Sequence, residues 1–140
     1  MKMIKLIVCC SALVLGSAGT LAFNLQAVPS RDIFWETFRS AVIRKDKNAV
    51  ADMSQFPISM PYGMRSVRSK AQLIKRYRDV FNHEGDAAVC FADAKPESDS
   101  AKPKEFSVWC KNGGGDLVVH YHFVLTKNGW RFNSLDNINE

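Results

Sequence analysis

The sequence predicts an α+β domain in which N-terminal helices pack on an antiparallel sheet. Two observations carry this expectation. Up to Phe81 the apolar residues recur every three or four positions, whereas from Ala87 onward they alternate, so the period changes from 3.6 to 2. When the alternating segments are then paired across their turns, one face of the resulting sheet becomes almost wholly apolar. A slip of one residue would turn each apolar set outward, so agreement between turns constrains the register.

The chain of 140 residues is long enough for one domain, and its start is set apart from the rest. MKMIKLIVCCSALVLGSAGTLA has two lysines, an apolar stretch from Leu6 to Leu15 and then small residues, which is the layout of a secretory signal peptide. Residues 1–22 are therefore read as a signal peptide and residues 23–140 as a single α+β domain, with Ala22 and Ala27 both acceptable as the last residue removed. The apolar run is shorter than the ~20 residues of a spanning helix, so no stable membrane span is expected after cleavage. Lipid attachment is disfavoured, because Val8 precedes Cys9 where a small residue is wanted. Localisation is accordingly read as periplasmic or secreted.

Loss of Lys2 and Lys5 with the leader lowers the net charge of +5 by two. A balance that mild does not argue for nucleic acid, and none is expected as a partner. The basic residues of RSVRSKAQLIKRYR share their segment with Leu73, Ile74 and Tyr77 at helical spacing, as on the solvated side of an amphipathic helix. Cys9 and Cys10 leave with the leader. The remaining pair, Cys90 and Cys110, would enter an oxidising compartment, where a disulfide is the expected outcome and two buried thiols the alternative.

SRDIFWETFRSAVIRK predicts the first helix, with Phe34, Phe38, Ala41 and Val42 on one face and Asp32 complementing the dipole of the first turn. A short second helix follows from Asp46, a good N-cap, through Ala49, Val50 and Met53. Pro57 and Pro61 stop it, and FPISMPYGM suits a short edge strand with a turn at Tyr62 and Gly63. In SKAQLIKRYRDVFN, Ser69 and Gln72 form a capping box, and Leu73, Ile74, Tyr77, Val80 and Phe81 line one face of a third helix.

AAVCFADA and EFSVWCK read as strands, separated by the polar segment KPESDSAKPK, a mobile loop. NGGGD and TKNG then separate two further strands, completing a four-stranded antiparallel meander. The registers expected are Cys110 with Leu117, Val108 with Val119, Phe106 with Tyr121, Leu125 with Trp130 and Phe123 with Phe132; Cys90 then opposes Cys110 closely enough to bridge.

On these registers His120 and His122 lie on the face away from the apolar set, with Ser107, Trp109, Val118, Val124, Arg131 and Asn133. Two histidines at i and i+2 could ligate zinc, but no further ligand is evident on that face. They are read as strand-surface residues, and no metal is expected. Toward the end of the inward face, Ser134 would oppose Tyr121 and Asp136 would oppose Val119. Asp136 with Tyr121 is the single pairing that could serve as a base and a phenol donor, against the plainer reading of a solvated rim carboxylate. No nucleophile elbow, phosphate-binding glycine loop or metal-ligand motif occurs, so no cofactor is expected.

The helix pair FWETFRSAVIRKDKNAVADM, the helix SKAQLIKRYRDVF and the closing hairpin VVHYHFVLTKNGWRF together resemble the nuclear transport factor 2-like superfamily, which includes SnoaL-like and ketosteroid-isomerase-like proteins. The resemblance spans most of the chain after the leader. It implies a curved sheet wrapping the helices in a cone around a pocket. Lined by Trp35, Phe38, Phe106, Tyr121, Phe123, Phe132 and Ser134, that pocket would take a small hydrophobic ligand. Members of the superfamily include isomerases, dehydratases, hydrolases and binding domains, so the fold does not choose an activity. The function expected is a non-enzymatic exported binding or interaction domain, its partner a small hydrophobic ligand or an extracytoplasmic protein. The alternative is a small lyase or isomerase using Asp136 and Tyr121. Because members often pair through the outer sheet face, a homodimer with Trp109, Val118 and Val124 in its interface is expected as well.

Overall fold

The computed structural model describes residues 27–61, 63–83, 85–111 and 117–139, with the side chains of Leu117 and Asn139 excepted. The expected leader with Cys9 and Cys10, Tyr62 of the expected turn, and NGGGD lie outside the described residues. The elements are α1 (Arg31–Ile43), α2 (Lys47–Asp52), β1 (Ser54–Ser59), α3 (Lys70–Lys75), α4 (Tyr77–Phe81), α5 (Ala87–Asp93), β2 (Glu105–Lys111), β3 (Leu117–Thr126) and β4 (Gly129–Asn139). The four strands form one sheet in the order β1-β4-β3-β2, antiparallel except where β1 runs parallel to β4.

Each helix boundary has a local cause. Ser30 caps α1 by accepting from the Ile33 amide, and Asp32 sits in its first turn. At the other end Lys45 takes a left-handed φ of 56°, Asp46 N–H donates to Ala41 O and Lys45 N–H donates to Val42 O. This is a Schellman closure, and Asp46 at once caps α2 through the Ala49 amide. The joint therefore turns the chain within three residues. Ser69 caps α3 as expected, but Gln72 Oε1 accepts from Arg68 N–H, one residue before the cap. The expected third helix is broken at Arg76, whose guanidinium donates to the Arg65 carbonyl and to Asp79. Tying the side chain to a neighbouring loop and to the next turn coincides with the non-helical backbone that separates α3 from α4.

AAVCFADA is a helix, which corrects the strand expected there. All seven residues from Ala87 to Ala92 and at Ala94 are small or apolar enough to satisfy either period, so alternation could not decide. Asp86 Oδ1 accepts from Ala88 N–H as an N-cap, Ala87 and Phe91 are buried one turn apart, and Val89 is left 70% exposed. The sheet's fourth strand is instead β1, at an edge where Pro57 costs no ladder bond. The polar segment after α5 is held in place: Glu97 and Ser107 exchange backbone hydrogen bonds, and Arg31 reaches Ser98 Oγ at 2.7 Å.

The register preserves the expected inward face while shifting its partners by two residues in the β2–β3 hairpin. Phe106 pairs with Phe123, Val108 with Tyr121 and Cys110 with Val119. In the next hairpin Leu125 pairs with Trp130 and Phe123 with Phe132, as expected. Beyond Phe132 a bulge places Asn133 as an extra residue in β4, so that His122 pairs with Ser134, Tyr121 with Leu135 and His120 with Asp136. Everything after Asn133 is thereby turned to the opposite face from the one expected. Cys90 and Cys110 form a disulfide, with Cα atoms 5.7 Å apart, joining α5 to β2 rather than strand to strand.

Candidate functional site

The aromatic residues expected to line a pocket are packed against one another. Phe38, fully buried, has ring centroids within 6.4 Å of those of Phe34, Phe81, Phe91, Phe123 and Phe132. Trp35 meets Phe91 and Phe123 edge to face, and Phe106 stacks on Phe123 at 4.5 Å. Beside Tyr121 and the disulfide there is a space of about 20 Å³, far below the ~300 Å³ of a small-molecule site. Trp35, Phe38, Phe106, Tyr121, Phe123 and Phe132 are therefore core residues, and Ser134 is not among them because the bulge turns it outward.

The same bulge separates Asp136 from Tyr121. Tyr121 is buried in the core, donates its hydroxyl to Val80 O at 3.3 Å and has its pKa raised, chiefly by burial. Asp136 is exposed on the other side of the sheet. The carboxylate and the phenol expected to act together do not face one another, and a proton relay between them would have to cross the sheet.

What the bulge creates instead was not foreseen. Asp136 Oδ2 lies 3.0 Å from His122 Nε2, and Ser107 Oγ lies 3.4 Å from His122 Nδ1. With the carboxylate accepting from Nε2–H, Nδ1 accepts from the serine hydroxyl. A serine, histidine and aspartate in a row have the composition of an acyl-transfer triad, but such chemistry also needs free donors for an oxyanion. The Ser107 amide is engaged by Glu97 O, and the row lies across the ladder of an open sheet face. Its present geometry is that of a surface hydrogen-bond network. The bulge could not be read from the sequence, because Asn133 carries no mark that separates it from a regular strand residue.

His120 completes the cluster. Its ring stacks on Trp109 at 3.6 Å and 14°, and its centroid is 3.8 Å from that of His122. Nε2 is buried without a hydrogen-bond partner. Burial above all, and then the neighbouring His122, lower its pKa to about 4, with Asp136 opposing. Among the described residues no group of three or more His, Cys, Asp or Glu side chains is placed to hold a metal ion.

This environment gives a pH dependence of defined sign. The folded state resists protonating His120, so the unfolded chain binds that proton first as pH falls. The stabilisation is complete above the usual histidine value near 6.5 and is lost on descending toward 4. Allowing for the ring's partial contact with solvent, the effect is ~1 kcal/mol. Chemical denaturation at pH 7.5 and pH 4.5 should therefore show wild type losing more stability than His120→Gln, in which the titration is removed. Equal losses in the two proteins would show that His120 titrates normally in the folded state.

Trp109 is 37% exposed and Ile138 41%, with the half-buried Val118 beside Ile138 and Val124 further along β3 opposite Glu105. The face expected to carry Trp109, Val118 and Val124 outward does so. The polar segment 94–104 meets β2 at Ser107 and leaves the indole open.

No protein-family model matches the chain, and no curated protein matches it. Among solved structures it is similar to a nuclear transport factor 2-like protein with a cystatin-like fold from Novosphingobium aromaticivorans, at 14% identity and a TM-score of 0.43 over 76% of this chain and 77% of that one. A ketosteroid isomerase-like protein from Erwinia carotovora atroseptica is similar at 15% identity and a TM-score of 0.44, covering 76% of this chain and 90% of that one. A de novo designed protein with a curved β-sheet reaches 12% identity and a TM-score of 0.47, covering 77% and 95%. These solved structures include nuclear transport factor 2-like folds, and the likeness is one of architecture alone.

Proposed function

We propose that this chain is a non-enzymatic, exported interaction domain that associates with a second copy of itself through the outer face of its sheet. The observation that carries the reading is an interior filled by its own aromatic rings while an indole is left exposed on the outside. A filled interior counts against the small hydrophobic ligand, and with it against the isomerase or lyase alternative. Export is supported by the leader-like N-terminal segment and by the disulfide, which suits an oxidising compartment. No helix among the described residues is long and apolar enough to cross a membrane.

The charge pattern of the face favours a second copy as the partner. Along β2, Glu105, Ser107, Trp109 and Lys111 share the outer side, with an acid at one end and a base at the other. A two-fold axis near the middle of this row would set Lys111 of each copy against Glu105 of the other, with the two indoles near the centre. Sedimentation velocity at about 50 μM should show a dimer. Trp109→Ala should weaken it by ~2 kcal/mol, about thirtyfold in dissociation constant, with the circular dichroism unchanged. A monomeric wild type at that concentration, or a dimer indifferent to Trp109, would refute the assignment.

A further inference from the structure

On the side of the molecule away from β2, a groove of about 830 Å³ runs between the segment after β1 and the solvent side of α3. Among the described residues it is lined by Met64, Arg65, Ser66, Arg68, Gln72, Lys75 and Arg76, four cations and no carboxylate. We propose that this groove binds a ligand carrying several phosphate groups.

What sets the groove apart is the gathering of its cations, since Lys95, Lys104 and Lys127 also form no ion pair among the described residues but do not line it. Arg31, Arg39, Lys70 and Lys102 each have a carboxylate partner, in Asp32, Glu36, Asp52 and Glu105. Arg65, Arg68 and Lys75 are exposed and form no ion pair among the described residues. Collecting four cations in one groove with Asp79 alone paired to one of them, Arg76, raises the local potential, and an anion relieves it.

Part of the groove is also held in position. The Arg76 guanidinium is half-buried and donates through Nε to Asp79 at 3.0 Å and through Nη1 to Arg65 O at 2.8 Å, which leaves Nη2 outside these bonds. Gln72 Oε1 accepts from Arg68 N–H at 2.8 Å, so the amide group of Gln72 is left with its donors. One side chain therefore fixes both the loop and the helix bearing the other cations. Guanidinium forks with an added ammonium suit phosphate oxygens, and a groove this long exceeds a single tetrahedral anion. Among the described residues no aromatic side chain lines it on which a base could stack, which disfavours a nucleic-acid polymer.

The test uses the purified chain with two double substitutions that remove the same charge. Arg68→Gln with Lys75→Gln alters the groove, and Lys95→Gln with Lys104→Gln alters exposed cations outside it. Calorimetric titration with tripolyphosphate should show saturable binding that the groove pair weakens by about tenfold or more and the control pair by less than about twofold. Sedimentation with phosphatidylcholine vesicles, with and without phosphatidylglycerol, separates the sources of phosphate. Binding only to the phosphatidylglycerol vesicles, lost in the groove pair, would support the groove and identify its ligand as the several neighbouring headgroup phosphates of an anionic lipid surface; binding of free tripolyphosphate would identify a soluble one. The proposal is overturned if neither probe binds, if the two double substitutions act equally, or if a twenty-nucleotide single strand of DNA binds more tightly than tripolyphosphate. Circular dichroism of both variants should match wild type, since all four residues are exposed.

Discussion

Phe38→Ala is expected to destabilise the domain by about 3–5 kcal/mol, the cost of removing a fully buried aromatic ring and leaving its space behind. The expectation rests on position. Phe38 comes from the middle of α1 and touches rings from α4, α5, β3 and β4, so its removal opens the junction of both layers. Stabilities of domains this size are themselves 5–15 kcal/mol, so the variant should melt at least ~10 °C lower than wild type. Thermal unfolding followed by circular dichroism reads this directly. The result also bears on function, because a ring lining a solvent-filled or ligand-filled pocket would have few partners to lose. A penalty under ~1 kcal/mol would mean that the interior is not the packed core described above, and would restore the pocket.

The helices and the apolar sheet face were legible because several independent signals coincide there. Ser30, Asp46 and Ser69 each cap the helix that the following periodicity announces. Phe106, Val108, Tyr121, Phe123 and Phe132 stayed inward even where their partners moved by two positions, since a two-residue shift preserves the side on which every residue lies. Two features were not legible. The segment from Ala87 to Ala94 is apolar at almost every position, so both periods fit; its cap, Asp86, was the available signal for a helix. The bulge at Asn133 depends on pairing with β3 on one side and β1 on the other, a tertiary choice with no local signature.

The candidate site inherits that second failure. A regular β4 would have put Ser134 and Asp136 inside with Tyr121, and the whole alternative of a base and a phenol followed from that one parity. With one residue inserted, the same carboxylate meets His122 on the outer face, where the sequence had suggested no acidic neighbour for the histidines. The residues of a site can thus be identified correctly by type and still be assembled wrongly. Trp109 escaped this error because it precedes the bulge and its side is fixed by the β2–β3 pairing.

Replacing both Cys90 and Cys110 by Ala is expected to cost ~3 kcal/mol, the chain-entropy value for a loop of 20 residues. The loss should be uneven across the structure. α5 has seven residues, too few to persist alone, and apart from the disulfide it is held by buried Ala87 and Phe91 and by Arg39, which donates to the carbonyls of Phe91 and Ala92. β2, in contrast, keeps its ladder with β3 through seven register pairs whether or not Cys110 is bridged. Hydrogen exchange in the double variant should therefore quicken first at the amides of residues 88–94, while β3 and β4 open only with global unfolding. In the unreduced, denatured wild-type domain lacking residues 1–22, thiol labelling should find no free cysteine. Stoichiometric labelling of both would show that the bond does not form in the protein. An unchanged exchange rate in α5 of the double variant would show that Phe91 and Arg39 suffice to hold the helix, leaving the disulfide without the anchoring role assigned to it.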